Sequence, residues 1–218
     1  MKELTDEELL YASPEDWAFF NKCIEGLPAI SDKSGVKISA NGEVVPYGSG
    51  PHILKYFRET INLVKPKSIL EIGFNVGYGA SMLLKLSDAY VISLDKTSRE
   101  ETFIAVNHLT EKYQYEAPHK DMVVGFYNRF HFLNVDSKSA YDHLKGHYYD
   151  LCFIDGGHEE ENVTKDIQLC KDLKIPYLLF DDIYSRFGPG VLPSIAKFPE
   201  LELVKDMNNL RLYKVKYE

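Results

Sequence analysis

A chain of 218 residues, 44% hydrophobic and 27% charged, is long enough for one sizeable core with a small appendage and too short for two full domains. Its 33 acidic side chains against 25 basic ones give a formal charge of -8, which leaves no cationic surface of the kind a phosphate backbone requires, so nucleic acid is not the expected partner. Cys23, Cys152 and Cys170 have no C-x-x-C spacing, which argues against a disulfide framework and a cysteine-rich zinc site and fits a reducing cytoplasm.

Residues 1–8 are acidic and lack an apolar run, so neither a secretory signal nor a membrane anchor is expected there. Thr5 with Glu8, and then Ser13-Pro14-Glu15-Asp16, read as helix starts, and two short helices are expected before residue 27. Between residues 27 and 50 the pattern breaks into Gly, Pro, Ser and Asn punctuation. There, Asn41-Gly42 between Val36-Lys37-Ile38 and Val44-Val45 suggests a small hairpin or irregular lid. Residues 1–50 therefore read as a cap. Gly48-Ser49-Gly50-Pro51 opens a helix to about Val64, and residues 51–218 form the main domain.

Short apolar runs follow at 68–72, 90–94, 130–133, 151–154 and 177–180, with helical stretches between most of them. This is the pattern of a doubly wound α/β domain, a mostly parallel sheet covered on both faces. Residues 201–204 and 210–213 flank Asn208-Asn209 and read as a closing antiparallel hairpin, which brings the expected sheet to seven strands.

Ligands of such sheets bind beyond the carboxyl ends of the strands, and here those ends are acidic: Glu71, Asp95, Asp136, Asp155 and the pair Asp181-Asp182. Glu71-Ile72-Gly73-Phe74-Asn75-Val76-Gly77-Tyr78-Gly79 runs from the first strand into a helix near 80–85, so backbone can approach a ligand closely. The G-x-G-x-x-G spacing of a dinucleotide loop is absent. The segment instead resembles the first motif of class I S-adenosylmethionine-dependent methyltransferases, with Asn75 in place of the middle glycine; Asn is the non-glycine residue that best tolerates positive φ. The resemblance implies that Gly73, Asn75 and Gly77 line the methionine and ribose part of S-adenosylmethionine. Glu71 would order the loop or face the amino-acid end. It implies that Asp95 accepts hydrogen bonds from the ribose hydroxyls, although Asp95 could instead cap a helix starting near Ser98. Asp136 falls where such enzymes often bind the adenine amino group, and it too could be a helix cap.

Asp155-Gly156-Gly157-His158 and Phe180-Asp181-Asp182-Ile183-Tyr184 extend the resemblance, over about residues 66 to 184, to small-molecule O-methyltransferases of the catechol and sugar type. Several of these hold a divalent cation, which implies Asp155, Asp181 and Asp182 as ligands of Mg2+. Oxygen donors on neighbouring strand ends suit that ion, and it would relieve their mutual repulsion. His158 lies where catechol-type enzymes carry a lysine base, so it is the expected general base beside Asp155, with a capping or metal-ligand role as the alternative. The cap and the loop bearing Tyr184, Arg186 and Phe187 are expected to contact the acceptor, with simple packing of these side chains as the alternative.

The resulting expectation is O-methylation of a hydroxylated small molecule by a cytoplasmic protein that binds neither nucleic acid nor membrane, with the acceptor and a monomeric or homodimeric state left open. The Asn/Asp-Pro-Pro-aromatic motif typical of base methylation is absent after the fourth strand. An aminopropyl transferase, or a nucleoside-binding protein without methyl transfer, is the competing expectation.

Overall fold

The computed structural model describes residues 12–28, 37–38, 44–45, 53–113, 128–183, 188–207 and 209–217. The Thr5 helix start, the Asn41-Gly42 turn, the segment 48–51 and the loop bearing Tyr184, Arg186 and Phe187 lie outside the described residues. The second helix start is where the sequence puts it. Helix α1 (Pro14–Ile24) begins behind Ser13, whose hydroxyl accepts from the Asp16 backbone N–H at 3.1 Å. The two-residue strands β1 (Lys37–Ile38) and β2 (Val44–Val45) pair antiparallel, as a hairpin about Asn41-Gly42 requires.

Helix α2 (Leu54–Val64) leads into the alternating part of the chain. There β3 (Ser68–Ile72), α3 (Tyr78–Leu86), β4 (Tyr90–Leu94), α4 (Glu100–Lys112) and β5 (Phe130–Leu133) are followed by α5 (Tyr141–Leu144), β6 (Leu151–Ile154), α6 (Glu160–Asp172) and β7 (Tyr177–Phe180). The short α7 (Val191–Ile195) precedes the hairpin of β8 (Leu201–Met207) and β9 (Leu210–Val215). The seven strands lie in the order β5-β4-β3-β6-β7-β9-β8, the first five parallel and the last two antiparallel to their neighbours. This is the doubly wound sheet expected from the apolar runs.

Strand alternation divides the core in two. Ile69, Val91 and Phe153 point to the face covered by α1 to α4, whereas Leu70, Ile72, Ile92 and Ile154 point to the face covered by α5, α6 and α7. Strand β8 runs three residues beyond the apolar stretch read from the sequence. It is an edge strand with a register shift between Leu203 and Lys205, and its exposed side tolerates Lys205 and Asp206 while the backbone goes on pairing with β9.

Helix α1 packs into the first of these cores through Phe20 and Cys23. Its main contact is α3: the Phe20 ring meets Tyr78 edge-on at 5.9 Å, the Ser81 hydroxyl donates to the Cys23 carbonyl, and the Tyr78 hydroxyl donates to the Pro28 carbonyl at 3.0 Å. An ion pair between Arg58 and Asp16 joins α1 to α2.

The far end of α3 is closed by Arg129, a buried guanidinium that donates to the carbonyls of Leu84 (2.7 Å), Ser87 (2.5 Å) and Ala89 (3.3 Å). Replacing it by an apolar side chain of similar length strands those carbonyls away from water. Arg129→Met should therefore lower unfolding stability by about 2 kcal/mol or more, measured by urea denaturation.

Candidate active site

The carboxyl end of β3 meets that of β6 with no room to spare. A Cβ on Gly73, whose φ is 100°, would lie 2.1 Å from the Asp155 carbonyl oxygen, so only glycine fits both the conformation and the space. The loop then turns through Asn75 at φ 51°, the left-handed conformation that Asn tolerates. It is held from two sides. The Asn75 N–H donates to Asp95 Oδ2 at 2.7 Å, and Thr102 Oγ1 on α4 donates to the Asn75 carbonyl at 2.7 Å. Gly77, also at positive φ, occupies the cap position of α3.

Asp95 does not cap the following helix, because α4 starts at Glu100 with Arg99 in the capping position. It stands beside the glycine loop instead, on the wall of a cleft of about 250 Å3 whose lining includes Gly73, Asp95, Asp136, Ser137, Gly156 and Asp166. Asp136 also lines this cleft, yet it is a cap: its Oδ1 accepts from the Lys138 N–H at 3.0 Å at the start of the 3-10 turn Ser137–Ser139, and its Oδ2 lies 3.6 Å from Lys96 Nζ.

Glu71 takes a different position. It is 1% exposed, receives a 2.5 Å hydrogen bond from Ser93 Oγ on β4, and reaches so close beneath α3 that a Cβ on Gly79 would lie 2.4 Å from its Oε1. Burial pushes its carboxyl well above the ordinary carboxylate range. The Asp155 and Asp95 charges add to this, while hydrogen bonds from Ser93 and the Ala80 backbone oppose it. It supports the loop from below and does not line the cleft.

At the ends of β6 and β7 the structure brings together Asp155, His158 and Asp182. One donor atom from each lies within 4.8 Å of the others, and all three are partly exposed. His158 Nε2 is 3.2 Å from Asp182 Oδ2 and 3.9 Å from Asp155 Oδ1. Asp181, expected from the sequence to stand with them as a ligand, lies outside this group. It is 3% exposed and turned inward, where its Oδ1 accepts from the Asp182 N–H at 2.7 Å and from Asn209 Nδ2 at 3.0 Å. Burial, then the Asp182 and Asp155 charges, raise its carboxyl well above the usual range. The physical reason for the exchange is backbone direction. Asp182 sits at φ 52°, which turns its side chain out of the strand while Asp181 keeps the inward direction of the strand before it.

Two residues of this region were not foreseen. Asn209, in the β8–β9 turn, donates from its side-chain amide nitrogen to Asp181 Oδ1 and Asp182 Oδ1, both at 3.0 Å, and its backbone carbonyl accepts from the Ile183 N–H at 3.1 Å. No local signal marks it, because the contact depends on β9 lying beside β7. Asp166 did carry a signal: it falls on the buried stripe of α6 with Val163, Ile167 and Cys170, where a carboxylate is out of place. Among the described residues no helix is long and apolar enough to cross a membrane.

The family model described as "Methyltransferase domain" matches residues 70–183, more than half of the chain. No curated protein matches it in sequence. Among solved structures, SAH-bound methyltransferase PaMTH1 of Podospora anserina is similar at 14% identity, with TM-score 0.59 over 97% of this chain and 92% of that one. The O-methyltransferase of Bacillus cereus in complex with SAH is similar at 15% identity, with TM-score 0.57 over 96% and 94%. MycE, from the mycinamycin biosynthetic pathway and in complex with Mg and SAH, is similar at 15% identity with TM-score 0.50. That match covers 77% of this chain and 49% of that one. At these identities the likeness is one of fold.

The burial of Glu71 has a measurable consequence. A carboxyl whose folded pKa is raised stabilises the fold fully below its unfolded pKa of about 4 and loses that contribution as pH rises through the folded value. Glu71→Gln keeps the shape without the charge. It should raise the thermal midpoint above that of wild type at pH 7 to 8, and the difference should vanish near pH 4, as followed by calorimetric melting.

Proposed function

The chain belongs to the methyltransferase-domain family, and from that premise we propose that it transfers a methyl group from S-adenosylmethionine to a hydroxyl oxygen of a small molecule. The observation that carries this reading is the geometry of two adjoining regions. A glycine-loop cleft has Asp95 on its wall, and an acid–imidazole cluster stands at the neighbouring strand ends. The SAH held by PaMTH1 and by the Bacillus cereus enzyme supports the cofactor assignment.

In this reading Gly73 and Gly77 let backbone approach the cofactor, and the Oδ1 oxygen of Asp95 accepts from the ribose hydroxyls while Oδ2 holds the loop through Asn75. The acceptor hydroxyl lies at the cluster of Asp155, His158 and Asp182. His158 takes its proton, and the resulting imidazolium is held by the Asp182 carboxylate, which lies 3.2 Å from Nε2. The oxygen lone pair attacks the methyl carbon as the carbon–sulfur bond breaks. The electron pair returns to sulfur, and the sulfonium charge is discharged on forming the neutral thioether.

The same three donors, two carboxylates and an imidazole on neighbouring strand ends, fit a divalent cation, and the Mg beside SAH in MycE supports that option. A cation there would lower the pKa of a coordinated acceptor hydroxyl. The two roles of His158 exclude each other, since a neutral imidazole bound to a cation carries its hydrogen on the other nitrogen and has no lone pair left to take a proton. Asp181 and Asn209 hold Asp182 in place in either case.

Isothermal titration of the full chain with SAH tests the cofactor assignment without knowledge of the acceptor. Wild type should bind in the micromolar range. Asp95→Ala should bind at least tenfold more weakly, because a charged acceptor to two hydroxyls contributes about 1.5 to 3 kcal/mol; an unchanged affinity removes Asp95 from the site. With a panel of sugar and phenol acceptors, EDTA should abolish turnover and Mg2+ restore it if the cluster holds a cation. Full activity in EDTA, lost in His158→Ala, assigns the proton to His158 alone.

A further inference from the structure

Helix α6 turns Val163, Ile167 and Cys170 into the core, and between them Asp166, 2% exposed, carries a carboxylate to the same side. Such a group is costly unless its oxygens are used. One of them is used: Ser137 Oγ donates to Asp166 Oδ1 at 2.5 Å.

Ser137 opens the 3-10 turn capped by Asp136, and none of that turn's three residues is buried, so the turn has no apolar anchor of its own. Among the described residues, the side-chain bonds that join it to distant parts of the chain are the Ser137–Asp166 hydrogen bond and the partly exposed pair of Lys96 with Asp136 at 3.6 Å. Yet the turn forms part of the cleft wall that also carries Asp95. If Asp95 takes the ribose and the glycine loop the methionine part, the turn borders the nucleobase.

We propose that Asp166 is a positioning residue for the cofactor: through Ser137 it fixes the turn that walls the nucleobase end of the cleft. This rests on the reading of the cleft as an S-adenosyl site. Ordering the turn before binding spares the cofactor that entropy cost. Asp166 also makes the ordering sensitive to pH. Its carboxyl is pushed up to about 6, chiefly by burial. Within that net rise the Ser137 hydrogen bond and Lys138 pull the carboxyl down, and the Asp136 charge pushes it up. From β6, the Cys152 thiol faces it as well. The ionised carboxylate accepts a charge-assisted bond from Ser137, about twice as strong as a neutral one, so protonation slackens the latch.

The test is calorimetric titration of the full chain with SAH between pH 8 and pH 5 for wild type, Asp166→Asn, Asp166→Ala, Ser137→Ala and the double alanine variant. Asp166→Ala should weaken SAH binding about tenfold at pH 8, and the double variant should lose no more than the larger single loss. Wild-type affinity should fall several-fold between pH 7 and pH 5. Asp166→Asn, which keeps the shape and a neutral acceptor, should bind within a few-fold of wild type at pH 8 and lack that fall. If Asp166→Ala proves unstable, Asp166→Asn and Ser137→Ala still decide the matter.

Variants that melt earlier but keep wild-type SAH affinity and its pH profile would reduce Asp166 to a packing role and overturn the proposal. Additive losses at Asp166 and Ser137 would overturn it too. Failure of wild type to bind SAH at any pH would overturn the cofactor reading itself, a result distinct from normal binding that ignores Asp166.

Discussion

Everything at the functional edge depends on how closely β3 and β6 approach each other at their carboxyl ends. The Asp155 N–H donates to the Ile72 carbonyl at 2.9 Å, and the Asp155 carbonyl then occupies the space where a side chain on the next β3 residue would be. Gly73 permits this. Through that one contact the glycine loop and the acid–imidazole cluster become neighbours, although they are far apart in the chain. It is also the point where successive strands are added in opposite directions from β3, outward to β4 and β5 on one side and to β6 and β7 on the other. Such a switch opens a crevice beyond the strand ends.

Burial sorts the carboxylates gathered there into two kinds. Glu71 and Asp181 are sunk below the edge, their carboxyls pushed toward the neutral form, and each is tied to a neighbouring strand or turn by Ser93 or Asn209. Asp95, Asp155 and Asp182 are partly open to solvent. Leaving all five charged in one small region would be severely unfavourable. Neutralising the inner two lowers that repulsion and leaves the outer three as acceptors, so the buried pair serves as scaffold for the exposed set.

The N-terminal helix adds a further connection. Helix α1 docks on α3, the helix that grows directly out of the glycine loop, and its bonds reach Tyr78 and Ser81 in the first turns after Gly77. A displacement of α1 would therefore be felt at the loop before it was felt in the sheet. The C-terminal hairpin makes the matching connection at the other end, where Asn209 clamps Asp181 and Asp182 together.

The sequence alone determined the strands, because a parallel strand buried on both faces must be a continuous apolar run, and the five runs from Ser68 to Phe180 leave few alternatives. It also determined which strand ends are acidic and that the loop after β3 is glycine-rich, since these are local properties of adjacent residues. Only the tertiary structure decided which carboxylates stay open at the strand ends and which are buried. The inward turn of Asp181, the positive φ of Asp182, the burial of Glu71 and the pairing of His158 with Asp182 depend on where neighbouring strands end, and no local pattern encodes that. Asn209 and Asp166 became partners of the site for the same reason. Strand order brings β9 beside β7 and lays α6 against the turn at Ser137, and contacts between residues so distant in the chain exist only once the sheet is assembled.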